Sequence, residues 1–114
     1  MINLTPNVVA ALNTVLPTHY ELVLNGGTKV PCISYQERSN VETEQGDTIG
    51  YSRVSYTVKV WGYDLEELNR YAEQIDVIMR NMGFKRVSMN ELHSYQTNII
   101  QKILAYEILA LEEY

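Results

Sequence analysis

Hydrophobic positions along the chain change period several times, and each change marks an element. Val8, Val9, Leu12, Val15 and Leu16 share one helical face behind Thr5-Pro6, and Pro17 ends the run. This predicts a helix over residues 6–16, with Thr5 as its side-chain cap and Leu4 packed back onto Val9. His19 to Leu24 and Thr28 to Gln36 flank Asn25-Gly26-Gly27 and read as two strands of a hairpin. Pro31, lacking an amide donor, puts the second strand at a sheet edge, or itself at a bulge or an unpaired position. Residues 37–50 are polar, mostly acidic and without a period of 2 or 3.6, so a long loop is expected there, the first place to look for a partner contact. Then Val54, Tyr56, Val58 and Val60 alternate with Arg53, Ser55, Thr57 and Lys59, a strand with one core face and one wet face. Trp61 falls on the wet side beside Tyr63, so that strand end is either covered or presents an aromatic pair.

Asp64-Leu65-Glu66-Glu67 has the form of a helix N-terminus, and Leu65, Leu68, Ala72, Ile75, Met79 and Met82 continue an apolar stripe to a capping glycine, Gly83. Residues 84–87 should return as a short strand, with 88–98 a turn or a wide hairpin connection. From Gln101 to Leu111 both faces are apolar, as in a central strand whose second face is covered by another subunit. The expected order is α-β-β-loop-β-α-β-β: an α+β fold with an antiparallel or mixed β-sheet of about 4–5 strands and two helices mainly on one face. With 114 residues and no repeat, low-complexity tract or linker, residues 1–114 are expected to form a single domain.

Composition narrows the function classes. A formal charge of −5 has the wrong sign for a protein that lives by phosphate contacts, and Arg53, Lys59 and Trp61 are too few to make an RNA-binding sheet. The single cysteine, Cys32, excludes an intramolecular disulfide and a multi-thiolate zinc site and suits a reducing compartment. No apolar run approaches the ~20 residues that cross a bilayer, and the opening Met1-Ile2-Asn3 lacks signal-peptide character, so neither membrane insertion nor export by that route is expected. Nine tyrosines against one Phe and one Trp favour surfaces that are wet in one state and buried in another.

Catalytic raw material is sparse. Cys32 with His19 or His93 has no accompanying signature, and Glu91 with His93 would supply only two ligands, with no evident third. Gly26-Gly27 and Gly46 to Gly50 have neither dinucleotide nor P-loop spacing. Neither an enzyme nor a bound cofactor or metal is expected. Tyr56, Tyr71 and Tyr106 read as packing residues, whereas Tyr20, Tyr35, Tyr51, Tyr63, Tyr95 and Tyr114 are less easily absorbed. A sheet that packs with copies of itself is the stronger reading.

The segments Ile33-Ser34-Tyr35-Gln36-Glu37, Gly46 to Tyr51, Val58-Lys59-Val60-Trp61-Gly62, Met82-Gly83-Phe84-Lys85-Arg86 and Ile103-Leu104-Ala105-Tyr106-Glu107, with a long helix between the third and fourth, resemble small tail-completion proteins of long-tailed bacteriophages and prophages of Gram-positive bacteria. The resemblance runs from about Cys32 onward. It implies a tail terminator: a virion protein made in the bacterial cytoplasm that forms a ring, typically hexameric, on the last ring of the tail tube, stops its polymerisation and joins it to the head connector. Its implied partners are copies of itself, the tail-tube protein and a head-completion protein, with DNA passing through untouched because an acidic ring gathers no phosphates. The interface residues expected on this reading are Tyr35, Glu37, Glu42, Glu44, Asp47, Tyr51, Trp61, Tyr63, Ile103, Leu109 and Leu111. A neck or head-completion protein and a small dimeric prophage regulatory module are the alternatives.

Overall fold

The computed structural model describes residues 3–21, 29–44 and 49–113. The elements are α1 (Thr5–Asn13), β1 (Thr18–Tyr20), β2 (Cys32–Glu44), β3 (Ile49–Gly62), α2 (Leu65–Asn81), β4 (Lys85–His93) and β5 (Ile100–Glu113). The strands form one mixed sheet in the order β1-β2-β3-β5-β4, with both helices packed on one face: the expected α+β architecture.

The core lies between that face and the helices. Val54, Tyr56, Val58 and Val60 of β3 and Leu104 and Tyr106 of β5 are buried against Val8 and Leu12 of α1 and Leu68, Ala72, Ile75 and Met79 of α2. Helix α2 starts where its sequence says it should: Asp64 accepts a hydrogen bond from the Glu66 amide at 3.1 Å. It ends in a Schellman turn, with the Phe84 amide bonded to the Met79 carbonyl, the Gly83 amide to that of Arg80, and Gly83 at φ 97°. At α1 the cap differs from expectation. Leu4 occupies the N-cap position without a side-chain bond, and Thr5, already helical, turns its hydroxyl to the Tyr56 phenol at 2.7 Å, a buried partner that outcompetes the local cap.

Three further expectations are corrected. Thr18–Tyr20 pairs with β2 in parallel, Thr18 opposite Ile33, so the two segments are not a hairpin; the turn expected at Asn25 to Gly27 lies outside the described residues. The Ile33 amide bonds to the Pro17 carbonyl at 2.9 Å, and the connection of about a dozen residues is the length a parallel crossover requires. Pro31 immediately precedes β2, where a missing amide removes nothing from the ladder.

The expected loop over residues 37–50 is instead mostly strand: β2 runs to Glu44 and β3 begins at Ile49, paired throughout. A β-bulge at Arg38 shifts the phase of the alternation by one residue, and most side chains beyond it are exposed, so no hydrophobic period survives to be read. Likewise β4 extends to His93, well past the short strand expected at 84–87. It is an edge strand, nearly all exposed and bulged at Val87.

Candidate functional site

Beyond the helices the sheet continues as an arm. β1 pairs with β2 only as far as Tyr35, and β4 pairs with β5 only as far as Glu107, so β2, β3 and β5 run on as a three-stranded ribbon. The molecule is accordingly long, 54 × 24 × 23 Å. The ribbon leaves strand edges on both sides without a neighbour among the described residues, the kind of edge that recruits another chain.

The face of the sheet opposite the helices carries a graded surface. Near the base, the Trp61 indole donates to Ser34 Oγ at 2.9 Å, Lys59 forms an ion pair with Glu21, and the Lys59 ammonium lies 5.9 Å from the Trp61 ring centre. Arg38 Nε donates to Thr57 Oγ1 at 3.2 Å, and Ser39 and Ser55 hydroxyls meet at 2.6 Å. On the arm, Val41, Arg53 and Leu109 stand abreast across β2, β3 and β5, with Val41 58% and Leu109 56% exposed. Leu92 of β4, 55% exposed, is on the same face but at the opposite end of the sheet, level with Gln101 and Trp61 and eight β3 positions from Arg53. Exposed aliphatic side chains on a regular strand surface, flanked by charge, form the kind of patch that packs against another protein.

Charge is segregated along the molecule. Residues 37–55 and 107–113 hold seven acidic residues against two basic ones, Arg38 and Arg53, whereas the remaining seven acidic and seven basic residues cancel. Leaving out Asp47, the described residues of the arm carry six acidic and two basic groups, a charge of −4, and the rest of the chain is neutral.

The expected interface residues divide accordingly. Ile103, Leu109, Tyr51 and Trp61 lie on the face away from the helices, with Leu111 at a register position on that face. Glu37 and Glu42 are exposed on the other side of the arm, and Glu44 takes a register position there. Tyr35 is on the helix side as well, partly buried against the core and 5.6 Å from the Tyr20 ring. Tyr63 lies past the end of β3, 62% exposed. Asp47 lies outside the described residues. Sequence reasoning missed Val41 and Leu92, because the first was assigned to a loop and the second to a turn. It also missed a cluster of cations, Arg80, Lys85 and Arg86, whose only sequence signal is a dibasic pair shortly after an arginine.

Cys32 is buried, and burial raises its thiol pKa, which keeps it protonated and unreactive. Glu91 is held low by hydrogen bonds from Lys102, at 2.8 Å, and His93, at 2.6 Å. Among the described residues no three His, Cys, Asp or Glu side chains come together as a metal site, and no helix is long and apolar enough to cross a membrane. No family model matches the chain, and no curated protein matches it significantly.

Proposed function

We propose that the protein is a tail terminator of a long-tailed phage or prophage: a structural subunit that forms a ring, six-fold in the family it resembles, on the end of the tail tube and offers the joining surface to the head. The observation that carries the reading is the arm, a three-stranded extension with exposed aliphatic residues on one face and strand edges along both sides. A chain with this shape has the surfaces a ring needs, since a heterologous contact uses two different patches of each subunit and closes when its rotation does. The two apolar faces of β5 fit the same reading, one packed in the core and one, through Ile103 and Leu109, turned outward. A net-acidic arm suits a passage for DNA, because its few cations cannot gather enough phosphate contacts to hold the duplex.

The test is mass by light scattering across a concentration series, with negative-stain images of any large species and a capping assay on purified tail tubes. A closed ring with a central hole, and tubes that stop growing when the protein is added, are the expected results. A stable dimer at every concentration that leaves tube growth unaffected would favour the regulatory module and overturn the proposal.

A further inference from the structure

We infer that subunits associate head to tail by seating the acidic arm of one copy on the Arg80–Lys85–Arg86 pocket of the next, at the end of α2. The inference rests on the self-assembling reading above and specifies its contact. Phe84 and those three basic residues line a cavity of about 400 Å³ where the helix turns into β4. Only Asp76 answers the two arginines, at 2.9 Å from Arg80 and 3.6 Å from Arg86, so the cluster keeps a surplus of positive charge. Elsewhere on the body Lys59 pairs with Glu21 and Lys102 with Glu91. Three cations thus line a single cavity, with Phe84 between them in the sequence.

The occupant is set by complementarity. An arm holding a charge of −4 repels a second arm, which disfavours a two-fold contact of arm on arm and favours a heterologous one of arm on body. On a body of zero net charge, the cationic pocket is the place where that arm gains most. At the root of the arm Glu107 stands opposite Lys85 in the β4–β5 register, so an acidic and a basic residue already occupy facing strand positions there.

Charge reversal tests this directly. Arg80→Glu/Lys85→Glu makes the pocket acidic, and Glu37→Lys/Glu42→Lys/Glu44→Lys turns the net charge of the arm positive; each is made in the full chain and measured by light scattering at about 50 mM salt, where screening is weak. Circular dichroism melting verifies folding. Each variant alone should lose self-association at least tenfold, and an equimolar mixture should recover it, because every arm of one variant then meets a complementary pocket of the other. If the pocket double variant does not fold, Lys85→Glu alone, which leaves both arginine ion pairs in place, carries the same test. Either variant assembling as the wild type does, or a mixture that stays dissociated, overturns the inference and leaves the ring itself standing. A wild type that caps tubes yet stays monomeric at low salt overturns the docking contact but not the terminator reading. Rescue by mixing in a protein that never caps tubes supports the contact and removes the terminator reading instead.

Discussion

Tyr56 and Tyr106 face each other across β3 and β5, both buried, and each gives its hydroxyl to a different helix: Tyr56 meets Thr5 of α1 at 2.7 Å, and Tyr106 donates to Asp76 of α2 at 3.0 Å. One cross-strand pair thus registers both helices on the sheet. Phe84 adds an edge-on contact to the Tyr56 ring at 5.8 Å, so the end of α2 is tied into the same cluster. A buried hydroxyl on a carboxylate is worth more than one on a neutral partner. Tyr106→Phe should therefore cost about 1.5–3 kcal/mol and Tyr56→Phe about 0.5–1.5 kcal/mol in urea unfolding, with Tyr106 the larger. Equal losses would overturn the ranking by partner charge, and no loss in either variant would show that the hydroxyls do not anchor the helices.

The same pair predicts the alkaline limit of the fold. Burial, then the Asp76 carboxylate, push the Tyr106 phenol far above its ordinary value, and burial raises Tyr56 as well. A phenol whose folded pKa exceeds its unfolded one leaves stability intact below the unfolded value, near 10, and removes it as pH rises beyond, because the unfolded chain releases its proton first. Stability should be flat from pH 7 to about 8, start to fall as the unfolded chain's Cys32 thiol ionises, since burial raises that group too, and fall more steeply beyond about 10, by up to about 1.4 kcal/mol per pH unit for each buried phenol. Melting temperature against pH checks this, and Tyr106→Phe should flatten the fall. A variant with an unchanged alkaline limb would exclude Tyr106 as its cause.

Gly83 supplies the positive φ that the turn after α2 requires, and a methyl group there would sit 3.3 Å from Ile108 Cδ1. Gly83→Ala should lower stability by about 1–2 kcal/mol, from the left-handed backbone first and the contact second. Gly83→Asn, better tolerated in that conformation, should cost less than alanine in the same denaturation measurement. The reverse order would mean that crowding, and not backbone strain, decides this position.

What the sequence made legible follows from how local each signal is. Strand β3 and helix α2 carry their whole pattern within one stretch, alternation in Val54 to Val60 and the stripe from Leu65 to Met79, and both stand close to where the periodicity puts them. The outer half of β2 was illegible because the bulge at Arg38 breaks the phase and few of its side chains are covered. β4 failed for a related reason: at the sheet edge an exposed strand needs no apolar alternation. The parallel pairing of β1 depends on a partner more than ten residues away, which no local period encodes. Segregation of charge was hidden too, since it emerges only when topology lays residues 107–113 beside 37–55.

Leu104 and Leu109 separate folding from assembly on a single strand. Leu104 is buried in the core, whereas Leu109, five residues on, is 56% exposed opposite Arg53 on the other face. Leu104→Ala should cost about 2–5 kcal/mol in urea unfolding. Leu109→Glu puts a carboxylate beside Arg53 and should change monomer stability by no more than about 0.5 kcal/mol, while light scattering shows loss of the assembled species. Unchanged assembly in the Leu109 variant would remove this face from the contact.

The arm can be shortened without touching the core. Val41 and Arg53 are register partners, so replacing residues 42–52 by Asn-Gly joins them through a two-residue turn whose twist suits antiparallel strands. Of the segment removed, Ser52 is a buried side chain, while the core side chains of β3 from Val54 onward remain. Monomer stability should therefore fall by only about 1 kcal/mol, in line with loss of peripheral contacts. Assembly should be abolished, because three of the seven acidic residues go with the tip and the β5 edge loses the strand beside it. Gel filtration and the tube-capping assay read the two effects separately. A shortened protein that still forms the large species and still stops tube growth would mean that the arm beyond Val41 is not the assembling element.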